Sequence, residues 1–260
     1  MEVVIVEGPE EVGALAAARI AELVAARPRA VLGVATGSSP LATYRALAAR
    51  ADAGLDLSRV SAFALDEYVG IRRDHPESYH AVVDREVVRP LGLDPALVHV
   101  PDGLAADLDA ACEDYEAQIV AAGGIDLQLL GIGTNGHIGF NEPTSSLASR
   151  TRVKTLAPRT REDNARFFAS AEEVPMHCLT QGLGTILDAR RALLVAHGAA
   201  KARAIAEVVE GPVSSMWPGS VLQLHRRATV VIDEAAASEL RLADYYRATV
   251  AHRAAVQPGA

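Results

Sequence analysis

The 260-residue sequence predicts a single α/β domain in which helices cover both faces of a mostly parallel sheet. Short apolar segments alternate with helical segments along the chain, and the helical segments are long enough to connect parallel strands. Abundant alanine and few aromatic residues indicate an aliphatic core and alanine-rich helices. We find no linker, low-complexity segment or repeat, so we predict one domain over residues 1–250 and a weakly ordered tail over residues 251–260.

The first predicted elements are a strand over residues 3–6 and a helix over residues 9–26, with Pro9 in its first turn. Between Val12 and Val24 this helix carries apolar residues at helical spacing. Further strands are predicted, in chain order, over residues 30–35, 60–65, 97–100, 127–132, 191–196 and 229–232. Further helices are predicted over residues 41–50, 77–88, 107–121, 199–210 and 235–246.

Composition argues against several classes of protein. The net charge is −8 with no long block of one sign, whereas a nucleic-acid partner requires a basic face. Cys112 and Cys178 fit no metal or disulfide spacing and indicate a reducing cytosol. The amino terminus lacks the features of a signal peptide, and no apolar run reaches membrane-spanning length. We therefore expect a cytoplasmic protein that binds neither nucleic acid nor membrane.

The most informative segment is the glycine-rich run over residues 131–143, which follows a predicted buried strand. Four glycines within nine residues let the backbone turn sharply and approach a ligand. His137 and Glu142 supply two proton-transfer groups in the same segment. Such a loop at the carboxyl end of a strand is typical of a small-molecule active site. The alternatives are a tight turn with local hydrogen bonds, or a metal site, which the absence of a second histidine at ligand spacing disfavours.

Two further polar segments follow predicted strands. Residues 36–40 open a helix, so the amides and hydroxyls of this segment form a candidate phosphate site. Ordinary helix capping by Ser38 or Ser39 is the alternative. Asp66 ends the third strand and is a candidate base for a carbon acid, the alternative being a solvated acid. Arg166 and Lys201 are candidate phosphate-binding cations or else surface charges. The remaining histidines are assigned no role: His75, His80, His99, His177, His197 and His225.

Several long motifs in register resemble those of the glucosamine-6-phosphate deaminase family. They occupy residues 66–70, 75–79, 136–143, 146–152, 180–185, 216–217 and 222–225. The resemblance runs from the first strand to about Tyr246 and implies a modified Rossmann-like fold. It implies conversion of glucosamine 6-phosphate and water to fructose 6-phosphate and ammonia, in amino-sugar catabolism, without a metal or organic cofactor.

The resemblance also implies roles for individual residues. Asp66 corresponds to the base that takes the C2 proton, His137 to the acid/base that opens the pyranose ring, and Glu142 to the group that orients it. The phosphate and neighbouring sugar oxygens would be bound by Thr36, Gly37, Ser38, Ser39, Arg166 and Lys201. At the position of Asn135, some family members carry aspartate. Since an amide cannot take a proton, Asn135 can only orient, and we expect His137 to hold its proton less tightly.

Some members of the family are hexamers activated by N-acetylglucosamine 6-phosphate at a subunit interface. The polar residues of that effector site correspond here to Ser145, Arg152, Lys154 and Thr155. The resemblance therefore implies a homo-oligomer, with a hexamer favoured, and a candidate activator site. The alternative is that Arg152 and Lys154 are exposed strand charges.

Other functions fit the same pattern less well. A 6-phosphogluconolactonase-like hydrolase would share the fold, but residues 66–70 and 140–143 match the deaminases better. A sugar-phosphate sensor domain would need an attached helix-turn-helix, for which the chain has no room. A deaminase acting on galactosamine 6-phosphate is also an alternative, because its substrate differs by one hydroxyl orientation.

Overall fold

Ten strands form two sheets in the computed structural model, which describes residues 1–168 and 170–256. In chain order they are β1 (Glu2–Val6), β2 (Val31–Val34), β3 (Ser61–Ala64), β4 (Asp66–Tyr68), β5 (Val98–His99), β6 (Leu127–Leu130), β7 (Arg152–Thr155), β8 (His177–Thr180), β9 (Ala192–Ala196) and β10 (Ala228–Asp233). The larger sheet is parallel, with strand order β1-β10-β9-β6-β2-β3-β5. The smaller sheet, β4-β8-β7, is antiparallel.

The α-helices of the described residues are α1 (Pro9–Ala26), α2 (Ser38–Asp52), α3 (Tyr79–Val83), α4 (Arg89–Leu91), α5 (Leu108–Ala121), α6 (Pro158–Asn164), α7 (Leu183–Leu187), α8 (Ala202–Val209) and α9 (Ala243–Val256). A π-helical turn, Asp84–Val88, joins α3 to α4. Short 3₁₀ helices span Pro95–Leu97, Ala165–Phe167, Ala171–Glu173, Ala199–Lys201 and Pro218–Leu224.

Successive residues of the central strands enter opposite cores. Leu129 and Leu193 pack with α1 and α2, whereas Leu130 and Leu194 pack with α7 and α8. This alternation is the period of two that a strand imposes, applied to strands that are apolar on both sides. The fold class predicted from the sequence, a mostly parallel sheet with helices on both faces, is confirmed.

The smaller sheet was not predicted from the sequence, and it begins one residue after β3 ends. Leu65 belongs to both ladders: its N–H donates to Val34 of the large sheet at 3.2 Å, and its carbonyl accepts from Gln181 at 2.7 Å. Asp66 is the next residue and opens β4. The junction therefore fixes this carboxylate by hydrogen bonds to two sheets.

The helix predicted over residues 235–246 is wrong in position, because turns follow β10 and α9 begins at Ala243. Carboxylates hold the irregular segment: Asp233 accepts the N–H of Ala236 at 2.8 Å, and Glu210 accepts the N–H of Arg241 at 3.0 Å. Such side-chain acceptors compete with helical hydrogen bonds. Residues 251–256 of the predicted tail continue α9, and residues 257–260 lie outside the described residues.

In the part of the chain that the structure describes, no helix is both long and apolar enough to cross a membrane. Both cysteines, Cys112 and Cys178, are buried free thiols.

Candidate active site

The candidate site lies where the carboxyl ends of β9, β6, β2 and β3 meet at one edge of the large sheet. The chain runs outward in opposite directions from β2 and β6, so the loops after these two strands diverge and leave a crevice. A cavity of about 600 Å³ opens there. Eight of the predicted site residues line it: Thr36, Gly37, Ser38, Ser39, Asp66, His137, Arg166 and Lys201.

The loop after β2 presents an uncapped helix end to the cavity. Gly37 is the N-cap of α2 with φ of 97°, a conformation that favours glycine, and no side chain caps it among the described residues. Ser38 and Ser39 are the first residues of this 15-residue helix. Its first amides and its positive dipole end are therefore available to an anion. The capping alternative finds no support in this geometry.

Two cations reach the cavity from other segments. The ammonium of Lys201 donates to the carbonyl of Ile132 at 2.7 Å, and burial lowers the pKa of Lys201. Arg166 is exposed, with its guanidinium carbon 4.7 Å from the ring centroid of Phe167. Lys201 is thus held against the glycine-rich loop, whereas Arg166 lies at the rim.

Asp66 is a buried carboxyl with 6% of its surface exposed. Burial, reinforced by the neighbouring Glu67 charge, raises its pKa to about 8, although hydrogen bonds to the hydroxyl of Thr180 and the amide of Phe140 oppose the shift. A carboxylate that binds a proton near neutral pH is a strong enough base to exchange one with a carbon acid.

Glu67 faces away from the cavity and ties β4 to α3. Its carboxylate accepts the N–H groups of Tyr68 at 2.8 Å, Tyr79 at 3.0 Å and His80 at 3.0 Å. Burial raises the pKa of Glu67 as well. The first turn of α3 is consequently fixed to the strand that carries Asp66, and Tyr79 lines the cavity beside it.

His137, Asn135 and Glu142 form a chain of hydrogen bonds. Nδ1 of His137 lies 2.7 Å from Oδ1 of Asn135, and the amide nitrogen of Asn135 donates to Glu142 at 2.8 Å. Nδ1 of His137 and the Glu142 carboxylate are 3.8 Å apart. Burial lowers the pKa of His137, and Glu142 opposes this shift. The direction is the one expected for His137, but its cause is burial, and the effect of the amide at position 135 stays a prediction.

Trp217 packs behind the glycine-rich loop that carries His137. Gly136 has φ of 78°, and a Cβ at this position would lie 2.6 Å from Cε3 of Trp217. The carbonyl of Gly136 accepts the N–H of Gly219 at 2.8 Å. The loop that carries His137 therefore rests against the indole and the following 3₁₀ helix.

The predicted effector residues lie outside this cavity, on β7 and the loop before it. Arg152 is half-buried and donates to Oδ1 of Asn141 at 2.9 Å, and its second terminal nitrogen is buried without a hydrogen-bond partner among the described residues. Ser145 donates to the carbonyl of Glu142 at 2.6 Å, and Thr155 contacts His177 at 3.1 Å. Lys154 follows Arg152 at the strand period, on the same side of β7.

Several residues at the site were missed from the sequence. Thr180 accepts the N–H of Phe140 at 3.0 Å beside Asp66, and Asp163 lines the cavity near Lys201. His197, which was assigned no role, also lines the cavity. Thr180 opens one of the motifs that carried the resemblance, but Asp163 and His197 offered no signal. No group of three or more metal-binding side chains occurs among residues 1–168 and 170–256.

Fold and site together define an α/β enzyme with an uncapped helix end and two separate titratable side chains, Asp66 and His137, at one cavity. A family model described as glucosamine-6-phosphate isomerases/6-phosphogluconolactonase matches residues 8–231. The chain belongs to this family.

Curated relatives match almost the full chain. Glucosamine-6-phosphate deaminase of Pseudarthrobacter chlorophenolicus is 61% identical over 249 residues, 96% of each chain. That of Streptomyces coelicolor is 58% identical over 255 residues, covering 97% of this chain and 98% of the relative. A solved monomeric glucosamine-6-phosphate deaminase matches with a TM-score of 0.90 at 42% identity, covering 92% of this chain and 100% of the other. The 6-phosphogluconolactonase from Trypanosoma cruzi shares the fold, with a TM-score of 0.76, 19% identity and coverage of 92% and 97%.

Proposed function

We propose that the protein converts glucosamine 6-phosphate and water to fructose 6-phosphate and ammonia. The observation that carries this proposal is the pairing of Asp66, a buried base, with a separately held His137 in one cavity. An aldose–ketose isomerisation of a cyclic sugar needs one group for the ring oxygens and another for the C2 proton. The relatives named glucosamine-6-phosphate deaminase support the same substrate.

Ring opening is assigned to His137. The neutral imidazole accepts the proton of the O1 hydroxyl and returns a proton to O5 as the C1–O5 bond breaks. The lowered pKa of His137 keeps the imidazole neutral at physiological pH. Asn135 fixes the orientation of the imidazole through its hydrogen bond with Nδ1, and Glu142 holds Asn135 by accepting from its amide nitrogen.

Isomerisation is assigned to Asp66. The carboxylate takes the C2 proton of the open aldehyde while a proton of the C2 ammonium group passes to O1, which gives an enolamine. Asp66 then delivers its proton to C1, and this leaves an iminium group at C2. Water adds to that carbon, and the carbinolamine expels ammonia to give the ketone. The amides of the 36–39 loop, together with Lys201 and Arg166, would hold the phosphate and so keep C2 beside Asp66.

The first test is ammonia release from glucosamine 6-phosphate in the presence of a chelator. Galactosamine 6-phosphate and 6-phosphogluconolactone, assayed in parallel, distinguish the epimer and the lactonase alternatives. Release from glucosamine 6-phosphate at the highest kcat/KM supports the proposal. Faster turnover of either alternative substrate, or binding of the sugar phosphates without turnover, as a sensor domain would show, contradicts it.

We also propose that N-acetylglucosamine 6-phosphate activates the enzyme through Arg152 and Lys154. The unsatisfied nitrogen of Arg152 supports an anionic ligand there, and the bond from Arg152 to Asn141 leads to the residue before Glu142. We expect this ligand to stimulate ammonia release. Lys154→Ala should weaken the stimulation, whereas Arg50→Ala, which removes an exposed arginine, should not.

The expected assembly is a homo-oligomer, with a hexamer favoured, although the similar solved deaminase is described as monomeric. Light scattering of the purified protein measures its mass, and a monomer would contradict the assembly. We place the reaction in the cytoplasm, since both cysteines are free and a reducing compartment keeps such thiols reduced.

A further inference from the structure

A second cavity, of about 680 Å³, lies at the amino ends of β1, β10, β9 and β6. The catalytic cavity lies at the carboxyl ends of the central strands, so the two occupy opposite edges of the sheet. Four arginines line this second cavity, hereafter the arginine groove: Arg19, Arg191, Arg226 and Arg227. Its volume falls in the range of small-molecule sites.

The backbone brings the arginines of the groove together. Arg191 and Arg227 immediately precede the paired residues Ala192 and Ala228 of two neighbouring strands. The carbonyl of Arg227 accepts the N–H of Ala192 at 3.0 Å, which fixes the two strand starts against each other. Neighbouring strands lie about 4.8 Å apart, so two guanidinium groups originate within a short distance of one another.

The positive charges of the groove exceed its negative ones. Arg19 lies 3.9 Å from Glu2, which also accepts from the hydroxyl of Thr229 at 3.3 Å. Arg191, Arg226 and Arg227 form no ion pair with any residue of the described ranges 1–168 and 170–256. Like charges on adjacent strands repel each other and cost stability. Although the chain has 33 acidic residues, Glu2 and Glu22 are the only ones that line this cavity in the part of the chain that the structure describes.

We propose that the arginine groove binds a small polyphosphate, meaning a ligand with two or more linked phosphate groups. Guanidinium groups pair with phosphate oxygens in a bidentate geometry. One phosphate group carries at most about two negative charges against three unpaired guanidinium groups, whereas a phosphate chain presents more negative charge and more oxygens within one ligand. The ligand occupies the edge of the sheet away from the substrate and does not compete with it.

The test is calorimetric titration of the full chain with inorganic tripolyphosphate and, separately, with ATP, each without added metal. Binding should weaken as ionic strength rises, because exposed charges are screened. The double substitution Arg226→Ala with Arg227→Ala should weaken binding about tenfold or more. Tighter binding of ATP identifies the ligand as a nucleotide, equal binding identifies the phosphate chain alone, and both results support the site.

Two matched variants make the test specific. Arg50→Ala removes an exposed arginine outside the groove, and Lys201→Ala removes a cation from the catalytic cavity. Neither should change the affinity for tripolyphosphate. The proposal is overturned by an absence of binding, by binding that Lys201→Ala abolishes and the double variant retains, or by equal losses in Arg50→Ala and the double variant.

Discussion

The side-chain amide of Asn135 stands between His137 and Glu142, with its oxygen 2.7 Å from Nδ1 of the imidazole. An amide oxygen can only accept a hydrogen bond, so this contact requires a proton on Nδ1 and leaves Nε2 to exchange protons with a ligand. Asn135 therefore selects the tautomer of His137 without contributing a negative charge. Glu142 supplies the charge from 3.8 Å.

Replacing Asn135 with aspartate should raise the pKa of His137, because a carboxylate would contact Nδ1 directly. In the proposed mechanism the neutral imidazole is the active form, so activity would be lost by protonation of His137 at higher pH than in the unchanged protein. We expect the acidic limb of the kcat/KM profile to move to higher pH by about one unit. Ammonia release measured across the pH range checks the shift.

The control for this variant is Gln118→Glu, which adds the same charge on the exposed side of α5. Its profile should coincide with that of the unchanged protein. Equal profiles for Asn135→Asp and the unchanged protein would show that His137 does not set the acidic limb.

Asp66→Asn should lower kcat by about 10²- to 10⁴-fold, because an amide cannot accept the C2 proton. KM should change little, since the proposed phosphate contacts remain. Exchange of the C2 hydrogen with solvent deuterium, followed by NMR, measures the proton transfer directly. Asp163→Asn neutralises another carboxylate of the same cavity and should retain exchange. Normal exchange in Asp66→Asn would assign the base elsewhere.

Relative to the unchanged protein, the same substitution should stabilise the fold increasingly as pH rises from 5 to 8. The folded pKa of Asp66, about 8, lies above the ordinary value of 3.8, so the folded state holds a proton that the unfolded state releases. This proton stabilises the fold fully below about pH 4, and the contribution is lost as pH rises to about 8. Relative to the unchanged protein, Asp66→Asn should gain roughly 2–4 kcal/mol between pH 5 and pH 8. Urea unfolding at pH 5 and at pH 8 measures the difference in the free energy of unfolding between the two proteins. A difference that does not change with pH would contradict the raised pKa.

Gly136→Ala should reduce kcat at least about tenfold, because its Cβ would meet Trp217 and displace the glycine-rich loop that carries His137. Trp217 is the sole tryptophan, so its fluorescence should report the displacement. Gly92→Ala is the matched control, with φ of 62° and no atom within 4 Å of the added Cβ. Both variants should lose about 1 kcal/mol of stability from the positive φ, but only Gly136→Ala should lose activity. Full activity in Gly136→Ala would show that the loop tolerates the shift.

Gly13→Ala should destabilise the protein by about 1–3 kcal/mol, although alanine is the better helix former. Helices α1 and α2 cross here, and the new Cβ would lie 2.5 Å from the backbone carbon of Ala42. Thermal unfolding compared with Gly8→Ala, where the Cβ meets no atom within 4 Å, isolates the contact. A higher melting temperature for Gly13→Ala would mean that the helices separate easily.

All strands of the large sheet were predicted from the sequence because each is a short apolar run between helices. Strands β4 and β8 were not predicted, and β7 entered only through the alternative for Arg152 and Lys154, because the residues of these strands are polar or mixed, as in Asp66–Tyr68 and Arg152–Thr155. Their extended conformation follows from pairing between distant segments rather than from local preference. The helix predicted over residues 235–246 failed for a related reason: the acceptor Glu210 comes from another part of the chain.

The location of the site could be predicted because the carboxyl ends of the parallel strands could be predicted. Asp66, His137 and the 36–39 loop each follow a strand of the parallel sheet, and such ends converge. The raised pKa of Asp66 was not predictable, since it arises from burial and from the side chain of Glu67. Arg152, interpreted alternatively as an exposed strand charge, is half-buried and bonded to Asn141. Both facts depend on packing that no local pattern encodes.

Leu65 links the two ladders through its own N–H and carbonyl, and the candidate base is its neighbour. A local opening that displaced Asp66 would break hydrogen bonds in both sheets at once. Loss of catalysis on heating should accordingly be inseparable from collapse of the whole fold, with no long-lived species that is folded but inert. The temperature at which activity is lost should then equal the temperature at which the fold is lost.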